Sequence, residues 1–241
     1  EMVWVATGLG AFAAGLLQTV TGFGAATVLM LVLPHFFTMT EAAALSSVIC
    51  MILAASLALR FRAHFRLRLI LPPSVIYAAA SILAIRSSAK LELGVLSLLF
   101  GAFLVFLSLY GVFLSNRLTL RGGTASMAVC SALSGVCAGL FSIGGPTMAV
   151  YYLAAARDQK EYLANLQCLF AITYAVGMPA RAASGAFSLG MVPLALLGGA
   201  GILLGKQMGL ICARHLSARR LRLLVYGYVG LTGIVTILGQ I

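Results

Sequence analysis

Gln18-Thr19-Val20-Thr21-Gly22-Phe23-Gly24-Ala25-Ala26-Thr27 and, 120 positions later, Ala138-Gly139-Leu140-Phe141-Ser142-Ile143-Gly144-Gly145-Pro146-Thr147 interrupt otherwise continuous apolar sequence. Neither stretch carries a charged residue, which suits turns buried in protein and argues against loops exposed at a membrane surface. Each places glycine where a helix would restart. The first residues of a helix offer unpaired backbone N–H groups and the positive end of the helix dipole, and glycine lets a ligand come close to that backbone. Pro146 suits the first turn of the restarting helix, where its missing N–H costs little.

The sequence on either side defines the solvent. Of 241 residues, 62% are hydrophobic and only 9% charged, and the mean hydropathy is +1.08, outside the range of soluble domains. Ten apolar segments emerge, roughly 3–20, 22–37, 42–59, 69–85, 93–114, 123–141, 144–156, 161–180, 189–212 and 223–240. A helical crossing needs about 20 apolar residues, and helices are the open-ended way to cross lipid. The expected fold is therefore an all-α polytopic membrane protein. The first segment reads as a membrane helix and not as a cleaved signal, because it lacks a basic flank and runs directly into a second apolar stretch. Segments 22–37 and 144–156 are short, so each should form, with its predecessor, a hairpin of two short or half helices.

Charge sets the orientation. The net charge of +11 comes from basic residues in short connections between apolar runs, so membrane topology explains it better than nucleic-acid binding. Arg60, Arg62, Arg66 and Arg68 crowd one loop, and Arg214, Arg219, Arg220 and Arg222 another; both should be cytoplasmic. Counting crossings adds Arg117, Arg121, Arg157, Lys160 and Lys206, for 13 of the 16 basic residues inside. Arg86, Lys90 and Arg181 fall outside, and both termini are external. Residues 1–118 and 119–241 then form two repeats of opposite orientation, each a broken, re-entrant helix pair followed by three crossings. A shift of 120 pairs Gly15 with Gly135, Gly24 with Gly144, Thr27 with Thr147, Leu33 with Leu153 and Glu41 with Glu161. Inverted repeats interrupted at matching places are the sequence pointer to a secondary transporter with a site near mid-membrane.

On the next segment of each half, Ser46 and Ser47 fall opposite Leu166 and Gln167, with Asn165 beside them. Asn165 and Gln167 are costly to bury unpaired and are expected to line a polar cavity; serines in membrane helices more often bond their own backbone, and Ser47 is the one that could join the cavity. Thr38-Met39-Thr40-Glu41 and Asp158-Gln159-Lys160-Glu161 are both capping-box patterns, so Glu41 and Glu161 read as caps and not as proton carriers. Arg181 could guard an entrance or snorkel to the headgroups, and snorkelling is the simpler reading. Cys50, Cys130, Cys137, Cys168 and Cys212 all sit in apolar runs and read as small buried residues. His35, His64 and His215 do not cluster. Without a nucleophile–base set, metal-ligand spacing or phosphate loop, neither an enzyme nor a bound cofactor or metal is expected.

The breaks and their surroundings resemble the sulfite exporter TauE/SafE family of permeases. The resemblance rests on Thr21-Gly22-Phe23-Gly24 with the apolar run to Pro34, Glu41-Ala42-Ala43-Ala44-Leu45-Ser46, Arg60-Phe61-Arg62-Ala63-His64-Phe65, and Leu133-Ser134-Gly135 through Ile143-Gly144-Gly145. Pro146 stands where many members carry another glycine. The resemblance implies a bacterial inner-membrane permease for small sulfur-containing anions such as sulfite, sulfoacetate, thiosulfate or other organosulfonates. An anion channel and a carboxylate permease are the alternatives. The expected substrate-binding residues are Thr21, Gly22, Phe23, Gly24, Ala25, Ser47, Ser142, Ile143, Gly144, Gly145, Asn165 and Gln167.

Overall fold

A computed structural model describes residues 1–88, 90–109 and 123–212, together with positions 227, 230, 233, 234, 237 and 238. Arg117, Arg121, Arg214, Arg219, Arg220, Arg222 and His215 lie outside the described residues, as does most of the last apolar segment. Among the described residues the chain forms nine α-helices and no strand: α1 (Met2–Thr21), α2 (Ala25–Val32), α3 (Met39–Arg60), α4 (Leu67–Ser88), α5 (Leu93–Leu109), α6 (Thr124–Phe141), α7 (Gly145–Ala155), α8 (Gln159–Ala183) and α9 (Val192–Cys212). The α1, α3, α4, α6 and α8 helices, and the segment Leu189–Ile211 containing α9, are long and apolar enough to cross a membrane. This is an all-α polytopic membrane protein.

The two hairpins are less even than their sequences suggest. Their first arms, α1 and α6, have 20 and 18 residues, whereas α2 has 8 and α7 has 11. At 1.5 Å per residue the short arms reach only about 12 and 16 Å, about half of the bilayer core. Each hairpin thus pairs a full-length helix with a half-length one.

Close contacts fix the helix directions. Ile49 of α3 meets Gly198 of α9 and Ile52 meets Gly199, while Ser56 of α3 accepts a hydrogen bond from Lys206 further along α9, so α3 and α9 run the same way. In α1, Gly8 lies against Leu197 and Thr19 against Gly209, giving α1 that direction too. In α6, Gly135 packs on Tyr77 and Gly139 on Ser81 and Ala84 of α4, so α4 and α6 are parallel. Arg66, just before α4, bonds Glu161 near the start of α8, and Ile85 lies against Gly177; α8 joins this second set. Arg66 follows the end of α3, so the two sets point in opposite directions. Glycines at the α1–α9 and α4–α6 interfaces let backbones approach where lipid supplies no hydrophobic drive between helices. By this geometry Arg60, Arg62, Arg66, Arg68, Arg157, Lys160 and Lys206 lie toward one face, and Arg86, Lys90 and Arg181 toward the other.

Local chemistry explains the helix starts. Thr38 and Glu41 close a reciprocal capping box on α3: the Thr38 N–H donates to Glu41 Oε2 at 3.0 Å, and the Glu41 N–H to Thr38 Oγ1 at 3.4 Å. Because glutamine can serve the same box, Glu41→Gln should leave thermal unfolding in detergent close to wild type, whereas Thr38→Ala should cost about 1 kcal/mol. Asp158 caps α8 by accepting the Glu161 N–H at 2.8 Å. That hydrogen bond holds the Asp158 carboxyl below the usual carboxylate range, so this cap's stabilisation is present at neutral pH and lost as pH falls through the lowered pKa.

The Glu161 side chain does not complete the box that its spacing suggests. It turns instead to Arg66 Nη1 at 2.7 Å, an ion pair across 95 positions. Pro72 and Pro73 sit inside α4. Pro73 has no N–H for the Leu69 carbonyl four residues back, and the Tyr152 hydroxyl of α7 donates to that carbonyl at 2.7 Å. A helix defect in one half is thereby satisfied from the other.

Candidate functional site

The two breaks face each other in the interior. In the first, Gly22 ends α1 with φ 89° and Gly24 starts α2 with φ 105°, both left-handed conformations that glycine adopts without steric cost. In the second, Ser142 ends α6 with φ 62°; among the described residues it alone has positive φ without being glycine. Gly145 lies against the Phe23 side chain, 3.0 Å from its Cβ to the position a Cβ on Gly145 would take. Ser47 and Gln167, which contact the breaks, each lie eight residues from their helix starts at Met39 and Gln159, about 12 Å along their axes. Because α3 and α8 are antiparallel, the breaks approach the middle of the bundle from opposite ends.

The first break is closed by the protein's own amides. The Ala25 N–H donates to Gln18 Oε1 at 3.1 Å, Gln18 Nε2 to Gln167 Oε1 at 2.9 Å, and Gln167 Nε2 to the Gly22 carbonyl at 2.6 Å. The Thr21 hydroxyl is also committed, bonding the Leu17 and Phe23 carbonyls at 2.9 and 2.6 Å. Nothing equivalent closes the second break. Ala138 occupies the position 120 residues after Gln18 and has no side chain to reach forward. No side chain caps α7. Pro146 contributes no N–H, so Gly144, Gly145 and Thr147 are the N–H bearers of the first turn.

The groups around this start are polar and buried. The Tyr77 hydroxyl occupies the space that a Cβ at Gly144 would need. Tyr77 is 1% exposed, and its hydroxyl has no hydrogen-bond partner. Thr173 stands beside it; its hydroxyl donates to the Leu169 and Phe170 carbonyls, and its oxygen is the nearby acceptor, without a hydrogen bond of normal geometry to Tyr77. The Ser47 hydroxyl donates to the Ala43 carbonyl at 2.7 Å, leaving its oxygen to accept from Ser142 Oγ at 3.0 Å. Ser134 and Thr147 join their hydroxyls across the α6–α7 hairpin. A buried, unpartnered hydroxyl beside an uncapped helix start is costly to leave unfilled and is poised for an acceptor-rich ligand.

Arg181 departs from the snorkelling reading. It is 5% exposed, and its Nη2 donates to the Ala138 and Gly139 carbonyls at 2.7 and 3.1 Å, capping the last turn of α6. Snorkelling would leave those carbonyls at a buried helix end with fewer partners. The guanidinium is also near Tyr77 and Tyr174. Asn165 is likewise engaged away from the breaks: its Oδ1 accepts the Arg66 N–H and its Nδ2 donates to the Glu161 carbonyl, each at 2.8 Å. It fastens the α3–α4 connection to α8. The remaining sequence-predicted residues, Thr21, Gly22, Phe23, Gly24, Ala25, Ser47, Ser142, Ile143, Gly144, Gly145 and Gln167, converge on the junction.

Gln18, Tyr77 and Arg181 were not singled out as binding residues by sequence. Gln18 did carry a signal, being a polar side chain four residues before a buried helix end.

A bundle of apolar helices of opposite direction, with two breaks meeting around buried polar groups, has the architecture of a polytopic membrane transporter. Residues 7–236 match the sequence profile described as sulfite exporter TauE/SafE, and the chain belongs to that family of membrane transporters. No curated protein and no solved structure matches it significantly.

Proposed function

We propose that the chain is a secondary transporter of small sulfur oxyanions, such as sulfite, thiosulfate, sulfoacetate or other organosulfonates, working by alternating access between two inverted repeats, 1–118 and 119–241. The carrying observation is the unpartnered Tyr77 hydroxyl against the uncapped start of α7. A sulfur oxyanion presents several acceptor oxygens. Backbone N–H groups of Gly144, Gly145 and Thr147, with the Tyr77 hydroxyl, supply donors without a buried carboxylate to repel it, and charge-assisted hydrogen bonds offset the loss of hydration; the Ser142 hydroxyl, spent on Ser47, holds the second break in place. Gly22, Phe23, Gly24 and Ile143 shape the opposing wall, while Thr21, Ala25 and Gln167 hold the first break closed.

The repeat reading is supported by packing. The most extensive helix contacts pair α1 with α9 and α4 with α6, which exchange under a shift that carries the first half onto the second. Ser47 meeting Ser142 and Gln167 meeting Gly22 are likewise one contact repeated at 120 residues. Two pockets open toward opposite faces, as access from either side requires. One, of about 400 Å³, reaches Thr21 from the face bearing Arg157 and Asp158; the other lies between α4 and α8 on the opposite face.

Proteoliposome flux with an oxyanion panel tests the reading. Saturable, counter-stimulated sulfite or thiosulfate flux is expected. Non-saturating anion conductance would favour a channel, and preference for carboxylates over sulfur oxyanions would reassign the substrate. Ser142→Gly should keep stability within about 1 kcal/mol of wild type, because relieved left-handed strain offsets the lost hydroxyl bond. Its anion affinity should nevertheless fall several-fold, because the Ser142–Ser47 bond that holds the second break in place is lost, measured by unfolding and sulfite titration of the same preparation.

A further inference from the structure

Resting on that transport reading, we propose that the pocket between α4 and α8 is an electrostatic entrance that gathers anions on the face opposite the basic loops and passes them along Arg181 toward the α7 start. The pocket has a volume of about 600 Å³ and is lined by Ile82, Arg86 and Lys90 on one side and by Val176, Pro179 and Ala183 on the other. Arg86, Lys90 and Arg181 are the basic residues left over by the positive-inside distribution, so topology gives no reason for their position. They converge here.

Arg86 and Lys90 are exposed, and neither forms an ion pair; among the described residues the one salt bridge is Arg66–Glu161, on the other face. Glu92 is the nearby acidic residue in sequence, and it too is exposed. Arg181 lies on α8 between the pocket-lining residues Ala180 and Ala183, and its guanidinium reaches the α6 carbonyls just before the second break. Positive charge therefore runs from the pocket mouth to a buried cation near the Tyr77 hydroxyl. Exposed cations at a low-dielectric mouth raise the local concentration of anions. A buried cation lowers the cost of bringing one further inward, where ionisable groups are otherwise expensive.

The test uses Arg86→Gln/Lys90→Gln, whose side chains are exposed and make no structural bond. In right-side-out and inside-out membrane vesicles, radiolabelled sulfite flux should show kcat/KM lowered about tenfold in both directions, as reversibility requires, and added salt should slow wild-type flux toward that of the variant. An unchanged kcat/KM, or a wild-type flux indifferent to salt, would overturn the entrance and assign these residues to lipid headgroups. A second readout needs no transport: Ala183→Cys in a background without other cysteines is modified by anionic and cationic methanethiosulfonate reagents. The anionic-to-cationic rate ratio should fall about tenfold when Arg86 and Lys90 are neutralised, and an unchanged ratio would overturn the proposal. Should wild-type protein move no sulfur oxyanion, the transport reading fails, while the reagent ratio still decides whether the pocket is an anion-attracting mouth.

Discussion

Gly144→Val should abolish sulfite binding and transport. A Cβ at this position would collide with the Tyr77 hydroxyl and stand 2.7 Å from the Ser134 carbonyl, so valine must drive Tyr77 away or pry α7 from α6. Either change destroys the donor set at the α7 start. Because such a variant could also misfold, Tyr77→Phe is the sharper companion. It keeps the buried ring and deletes only the hydroxyl. A hydroxyl without a partner destabilises the empty protein by about 1–3 kcal/mol, so Tyr77→Phe should unfold at the same or a higher temperature than wild type while binding sulfite at least about tenfold more weakly, the loss of one hydrogen bond to a charged ligand. A purely packing role for Tyr77 would leave affinity unchanged. Gly24→Ala makes the contrast: its φ of 105° penalises any side chain, but the adjacent Ala25 N–H is already taken by Gln18. It should therefore lose stability by about 1–2 kcal/mol and retain affinity in the folded fraction.

Arg181→Met is expected to have the other large effect, on stability and flux together. The substitution keeps an unbranched apolar side chain of similar reach and removes the donor shared by the Gly139 carbonyl and by the Ala138 carbonyl, which also accepts the Ser142 N–H. Losing hydrogen bonds from a charged donor at a buried site should cost about 3 kcal/mol. For a chain of this size that corresponds to a fall of roughly 6–12 °C in the unfolding midpoint, measurable by thermal scanning in detergent. Arg181→Lys, which keeps the charge but not the planar fork, should recover part of the flux and less of the stability. Full flux in Arg181→Met would separate this residue from the anion path.

Much of the architecture follows from short-range chemistry and was therefore legible. Helices are imposed by lipid on any apolar run, the two glycine-bearing stretches do interrupt them, and Thr38 with Glu41 builds its box from residues three apart. The readings that changed all turned on partners distant in sequence. Asp158-Gln159-Lys160-Glu161 has the spacing of a box, but Arg66 arrives from the preceding helix connection and takes the Glu161 carboxylate. Arg181 near a helix end is a snorkelling pattern until α6 ends beside it with carbonyls to satisfy. Asn165 and Gln167 are two positions apart on one helix, which turns their side chains to different neighbours: Gln167 to the first break, Asn165 to Arg66. The two breaks also look equivalent by shift alone. Their difference depends on Gln18 having a reaching side chain where Ala138 has none, and on Tyr77 entering from α4, which no local spacing reveals.

Crystals of the purified protein soaked in selenite, an analogue of sulfite with a strong anomalous signal, would locate the anion itself. The selenium peak is predicted within hydrogen-bonding reach of the Tyr77 hydroxyl and the Gly145 N–H, and absent from Tyr77→Phe crystals at the same concentration. A peak elsewhere in the bundle, or none at a selenite concentration that saturates competition with sulfite flux, would contradict the α7 start as the binding site.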